Sequence, residues 1–220
     1  ASAYSELSFN FDEEAKTASV KDIKSTASSG VLTIPEKIKE DGEIYTVTAI
    51  EDYACYQKTC ITGIVLPKTI TYIGESAFDE CTNVTSVSIS NSVEYVGANA
   101  FRHINEDAYT IEGNGKYLGN SENKYILLCG NQDTTVTTFA VQEGCKFIVG
   151  VSDTVCNFSA VETITFPSTL VGIGDYVFLN SSLKEIKLPE GLISIGKMAF
   201  RGCPATSVSI PNSVEEIGSN

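Results

Sequence analysis

The sequence predicts a mainly β repeat solenoid, and three observations carry that prediction. First, landmarks return at a fixed step. Leu66-Pro67, Phe166-Pro167, Leu188-Pro189 and Ile210-Pro211 are each followed, seven residues after the proline, by Gly74, Gly174, Gly196 and Gly218. Phe78, Phe178 and Phe200 stand four residues beyond three of those glycines, and a further copy reads Ile89-Ser90, Gly97, Phe101. From Pro167 to Pro189 to Pro211 the step is 22, and from Phe78 to Phe101 it is 23, the range of a stacked repeat. Second, apolar residues alternate around Val87 and Ile89 with the period of a half-buried strand. Third, no unit carries the apolar periodicity of a long helix. A unit this short cannot close its own core, so each must cover the apolar face of the next.

Residues 1–30 read as a β-hairpin. Leu7, Phe9 and Phe11 alternate, Asp12-Glu13-Glu14-Ala15-Lys16 turns, and Ala18 and Val20 return, which at this position predicts a cap over the open end of the stack. Residues 31–106 hold repeats. The stretch 31–60 starts the pattern at Leu32, Ile34 and Pro35 but carries about nine extra residues before Val47, Ile50 and Ala54, whereas 61–83 and 84–106 are complete. In the latter, Val84, Val87 and Ile89 form a first strand and Val93 and Val96 a shorter second one. Gly97 then predicts a turn with positive φ, and Ala100-Phe101 tucks a ring into the core on the return leg. Residues 107–135 interrupt the array with Ile111, Tyr117, Leu118 and Tyr125 to Leu128, broken at Asn114-Gly115 and Gly119-Asn120. They predict a β-rich insertion on one face or edge. Residues 136–220 resume the repeats: degenerate over 136–160, complete over 161–182 and 183–204, and truncated over 205–220. The truncation predicts a bare core edge at residue 220, with the parent protein continuing or capped differently.

The string Ile210-Pro211-Asn212-Ser213-Val214-Glu215-Glu216-Ile217-Gly218, with Ile73-Gly74-Glu75-Ser76-Ala77-Phe78-Asp79-Glu80-Cys81, resembles the BspA-type leucine-rich repeat. The resemblance covers about residues 31–106 and 136–220, and the segments Lys116–Asn120 and Glu122–Tyr125 look like a non-repeat element common beside such repeats. It implies a leucine-rich-repeat solenoid, a right-handed horseshoe or arc with a parallel β-sheet. It also implies a secreted or surface-anchored protein of the kind found on gut and oral bacteria and some mucosal protozoa, often linked to adhesion. No ligand and no binding residue comes with it. No asparagine recurs after the first strand, so a buried asparagine ladder is not expected.

Composition narrows the function. The formal net charge of −13, from 28 acidic and 15 basic residues, repels phosphate backbones and anionic lipid, so nucleic acid is not an expected partner. No stretch approaches the ~20 apolar residues that span a bilayer, so membrane insertion is not expected. Ala1-Ser2-Ala3 fits either a mature end left by signal cleavage or an arbitrary boundary. Seven cysteines (Cys55, Cys60, Cys81, Cys129, Cys145, Cys156, Cys203) are an odd number without a C-x-x-C, and His103 is the single histidine, so no metal site and no cofactor is expected. Cys81 and Cys203 fall at matching places in the repeat and read as small buried fillers.

Catalysis finds no footing. There is no nucleophile elbow and no glycine-rich phosphate loop, and a serine or cysteine nucleophile has His103 as its single possible imidazole base. Acidic pairs such as Glu13-Glu14 and Glu215-Glu216 read as solvated turns and strand edges. Asn83-Val84-Thr85, Asn157-Phe158-Ser159 and Asn180-Ser181-Ser182 match the N-glycosylation pattern, which asparagine in turns explains equally well.

Binding is the expected function, and two surfaces are candidates. The outward side chains of the first strands predict one continuous, hydroxyl-rich face. Its members are Thr85, Ser86 and Ser88; Thr137, Thr138 and Ala140; Glu162, Thr163 and Thr165; Lys184, Glu185 and Lys187; and Thr206, Ser207 and Ser209. Such a face serves extended polar binding through many weak contacts, or simply reflects the suitability of Ser and Thr to exposed strands. Tyr72 and Tyr95, one repeat apart, are predicted to point outward as an aromatic edge, for binding or for rung-to-rung stability. The leading expectation is an extracellular or cell-surface module that adheres to a protein or glycan on a host or neighbouring cell. The rival is a structural spacer that holds another domain off the surface and binds nothing.

Overall fold

A computed structural model describes residues 6–24, 29–152 and 158–219. Cys156 and Asn157, with the second glycosylation pattern, lie outside the described residues. The chain divides into two compact units, Ala1–Ala108 with Gly119–Ser121, and Tyr109–Leu118 with Glu122–Asn220. Each is a parallel β-solenoid, and no α-helix occurs among the described residues.

The first unit contains β1 (Leu7–Asp12), β2 (Thr17–Ile23), β3 (Gly30–Thr33), β4 (Lys37–Glu40), β5 (Glu43–Ile50), β6 (Ile61–Val65), β7 (Tyr72–Ile73), β8 (Ser86–Ser88) and β9 (Tyr95–Val96). First strands of successive rungs pair in parallel as β3-β6-β8, and second strands as β2-β5-β7-β9. The predicted hairpin forms: β1 and β2 are antiparallel, and β2 lies parallel against β5 at the head of the second-strand sheet. The extra residues of 31–60 form a second hairpin, β4 against β5. Its turn is Asp41-Gly42, at φ 49° and 85°, a pair of positive values that suits a two-residue hairpin loop.

The second unit contains β10 (Thr110–Glu112), β11 (Gly115–Leu118), β12 (Leu127–Asn131), β13 (Thr138–Ala140), β14 (Phe147–Ile148), β15 (Thr163–Thr165), β16 (Gly172–Ile173), β17 (Ile186–Lys187), β18 (Ser194–Ile195), β19 (Val208–Ser209) and β20 (Glu216–Ile217). The insertion heads this unit's main sheet, because β10-β11-β12 is an antiparallel meander and β12 then runs parallel to β14, followed by β16, β18 and β20. Its first turn is Gly113-Asn114, at φ 50° and 71°, one residue earlier than the Asn114-Gly115 break suggests. The insertion thus gives the second unit an antiparallel start, as β1 and β2 do for the first.

Inside each unit, equivalent residues stack into columns. Val20, Ile50, Ile73 and Val96 form one in the first unit, and Leu128, Ile148, Ile173 and Ile195 in the second, all buried. The return-leg phenylalanines also stack from rung to rung, Phe78 on Phe101 with centroids 5.4 Å apart and Phe178 on Phe200 at 5.3 Å. In the final rung Val208, Ile210 and Ile217 are exposed.

The repeat glycines overturn one expectation. Gly74, Gly97, Gly174, Gly196 and Gly218 are not in the left-handed region. Positive φ falls two residues later instead, at Ser76, Asn99, Tyr176 and Met198 (φ 52° to 64°). The glycine is needed for contact between rungs. A Cβ at Gly97 would lie 2.6 Å from Glu75 Cα and 2.7 Å from the carbonyl carbon of Gly74, inside the backbone of the rung before it. Glu51 occupies the matching position of the first rung, where the rung before it is the cap hairpin.

The described cysteines are free, and Cys55, Cys81 and Cys145 are buried in the core. Cys81 is fully buried, as expected of a filler, and its thiol donates to Cys55 O at 3.0 Å; Cys203 is only half-buried, because it lies in the last complete return leg. Burial raises the Cys81 thiol from 9.0 to about 11, that of Cys145 to about 12, and the Tyr117 phenol from 10.0 to about 12. The folded state therefore holds these protons more tightly than the unfolded chain. Their contribution to stability is complete below about pH 9 and declines as pH rises through the folded values. The urea midpoint is expected to fall between pH 8 and pH 10.5, and a flat profile across that range would contradict the burial of these groups.

Candidate functional site

The strand period of two sends alternate side chains outward. Thr85, Ser86, Thr163, Thr165, Lys184, Lys187, Thr206, Ser207 and Ser209 are exposed, and Ser88 is half-buried. The first strands are divided among β3-β6-β8 in the first unit and two separate pairs, β13-β15 and β17-β19, in the second. β17 is only two residues long. The bond from Lys184 N to Glu162 O at 3.1 Å carries the rungs across without strand pairing.

Many of the rung hydroxyls are engaged with the rung before. Thr85 Oγ1 donates to Thr62 O at 3.3 Å, Ser92 Oγ to Ile70 O at 2.7 Å, and Ser182 Oγ to Ser159 O at 2.9 Å. Asn83 Nδ2 does the same to Thr59 O at 2.7 Å. These side chains extend the backbone ladder past the short strands, a use that strand propensity alone does not reveal. The charged rung is internally paired: Lys184 Nζ meets Glu162 Oε2 at 2.6 Å, and Lys187 meets Glu185 at 3.3 Å. Both pairs are open to solvent and add little to stability.

Of the two candidate edge tyrosines, Tyr72 is exposed and Tyr95 half-buried. Tyr72 and Tyr95 stack with centroids 5.0 Å apart and planes 12° from parallel, Tyr72 being 40% exposed. Asp52 Oδ1 accepts the amide of Glu75 at 2.8 Å and lies 3.5 Å from the Tyr72 hydroxyl. Tyr53 and Tyr56, which the repeat pattern does not single out, meet edge-to-face at 5.6 Å.

His103 lies on the surface in a return leg, with Nδ1 2.6 Å from Glu80 Oε1. Asp79, Glu80 and His103 bring one donor atom each within 4.8 Å of one another. Asp79 is buried, and Arg102 grips it in a fork, Nε to Oδ1 at 3.0 Å and a terminal nitrogen to Oδ2 at 2.8 Å. The guanidinium supplies the positive charge that a cation would bring, so the group reads as a structural ion pair with a histidine beside it. No helix among the described residues is long and apolar enough to cross a membrane.

Against known proteins, the sequence matches the BspA type leucine rich repeat region in six copies over residues 48–127 and 151–220, more than half of the chain. No curated protein matches it. Among solved structures, the chain is similar to a leucine rich cell surface protein from Faecalibacterium prausnitzii at 21% identity and TM-score 0.48, covering 96% of this chain and 52% of that one. A leucine-rich repeat protein from Bacteroides ovatus aligns at 20% identity and TM-score 0.40, covering 97% and 66%. The T. pallidum leucine rich repeat protein aligns at 17% identity and TM-score 0.44, covering 97% and 79%. The chain thus spans about half the length of the first of these structures and under two thirds of the second.

Proposed function

Because this chain belongs to the BspA-type leucine-rich repeat family, whose members are in general protein-interaction modules rather than enzymes, we propose that it is a recognition module of the extracellular space or cell surface. It would adhere to a protein or glycan of a host or neighbouring cell through the outer face of its rungs. The observation that supports this reading is the set of outward side chains on the first strands. Thr163, Thr165, Lys187, Ser207 and Ser209 project from parallel sheets while the core is satisfied without them. Regularly spaced polar groups on a stiff support let many weak contacts add. The spacer reading draws on a different observation, the rung-to-rung bonds of Thr85, Ser92 and Ser182, which spend hydroxyls on the stack itself.

The test is binding of the intact chain to an array of matrix proteins and glycans at physiological salt, beside a variant carrying Thr85→Arg, Thr163→Arg and Thr206→Arg. Saturable binding lost in the variant is expected and would locate the contact on these strands. Binding that survives moves it elsewhere on the solenoid, and no binding to any member leaves the spacer reading in front.

A further inference from the structure

One column of the first unit is interrupted at position 49. Ala49 pairs with Tyr72 and Tyr72 with Tyr95, while Ser19 pairs with Ala49 and Asn10 with Ser19. The outward column therefore runs Asn10, Ser19, Ala49, Tyr72, Tyr95, opposite the buried Val20, Ile50, Ile73 and Val96. The two rings stack at the spacing of neighbouring strands, so a third ring at position 49 would continue the stack. In this register alanine is a step down from the ring beside it, a recess in the column of side chains. The ring of Tyr72 forms one wall. The other is polar: Glu51 Oε1 accepts from Ser19 Oγ at 2.5 Å and from Asn10 Nδ2 at 2.7 Å. Asp52 sits at the rim beside the Tyr72 hydroxyl, and the exposed Glu75 and Glu94 follow on the next rungs.

We propose that this recess docks an arginine side chain from a basic segment of a partner protein. The inference rests on the recognition reading and gives it a partner chemistry. A guanidinium is flat enough to lie parallel to the Tyr72 ring, and its N–H groups can donate to Oε2 of Glu51, the carboxylate oxygen that Ser19 and Asn10 do not use. Asp52, Glu75 and Glu94 supply a negative rim, and the net charge of −13 draws a basic segment in from a distance. The chain already uses this chemistry internally, with Lys16 Nζ 5.4 Å from the centroid of Tyr45 and Lys116 Nζ 5.6 Å from that of Tyr109. A neutral sugar could stack on the ring and donate hydroxyls to the carboxylates but gains nothing from their summed charge, and an acidic glycan is repelled by it.

The experiment titrates the intact 15N-labelled chain at physiological salt with a blocked peptide of alternating glycine and arginine. The counterpart peptide carries citrulline, which keeps the shape and removes the charge. Saturable shifts at the amides of Ala49, Glu51 and Tyr72 are expected, with affinity at least tenfold weaker for the citrulline peptide. Ala49→Tyr fills the recess by extending the ring stack, and is expected to weaken arginine binding at least tenfold while the melting temperature holds. Tyr72→Ala is the second variant, removing the wall. Equal binding of the citrulline peptide, unchanged binding by Ala49→Tyr, or no saturable binding overturns the proposal. So does a neutral glycan whose binding Ala49→Tyr abolishes while the arginine peptide is ignored. A chain that binds matrix proteins or glycans through Thr85, Thr163 and Thr206 yet ignores the arginine peptide loses this site and keeps the recognition reading. A chain that binds neither loses both.

Discussion

Replacing Phe178 with alanine is expected to lower the free energy of unfolding by about 4 kcal/mol. The ring is fully buried and touches three others, with centroids 5.3 Å from Phe158, 5.9 Å from Phe166 and 5.3 Å from Phe200. A solenoid has no second layer that can collapse into the gap, since the neighbouring rungs are held apart by their own backbone ladder. The loss therefore includes both the transfer of the ring and the cavity it leaves. Phe200→Ala removes the half-buried end of the same stack and is expected to cost about half as much. Urea unfolding of the two variants would check this. A loss below about 1 kcal/mol for Phe178→Ala would mean that the rungs slide together and the stack is not rigid.

The second large effect is expected at Gly97, where alanine should cost about 3 kcal/mol, the upper part of the range for overpacking. The added methyl would enter the backbone of the rung before it, where no rotamer offers an escape. Gly42 is the informative control. It adopts φ +85° and a methyl added there would meet nothing within 4 Å, so Gly42→Ala carries backbone strain alone and is expected to cost about 1 kcal/mol. If both substitutions cost the same, close approach between rungs does not explain the repeat glycines.

That contrast also shows what the sequence could and could not disclose. The period, the alternation within first strands and the Ala-Phe return leg are set by burial, and burial leaves a pattern along one chain. Phe78, Phe101, Phe178 and the Ile73 column were legible for that reason. The reason for glycine was not, because a tight turn and a neighbouring backbone both exclude a side chain and leave the same letter behind. The hairpin of β4 and β5 carried a visible signal in Asp41-Gly42, but an expanded repeat obscured it.

The candidate surface was legible in part. Which side chains point outward follows from the strand period, and the Tyr72–Tyr95 stack follows from the repeat step. The break between the β13-β15 and β17-β19 pairs of the second unit does not, because it turns on the shortness of β17, which a single bond from Lys184 to Glu162 bridges. Nor does the fork between Arg102 and Asp79, which joins residues 23 apart in neighbouring rungs. Setting position 49 beside 72 and 95 would have exposed the missing ring; the polar wall facing it required the register of β1, β2 and β5.

The central claim is that this chain recognises something outside itself, and the most direct test is competitive. Beads coated with the intact chain would be applied to a mucosal cell layer, with soluble intact chain added in increasing amount. Recognition predicts retention that saturates with bead number and falls in proportion to the soluble competitor. Retention that equals that of uncoated beads, or that the competitor leaves unchanged, would contradict it.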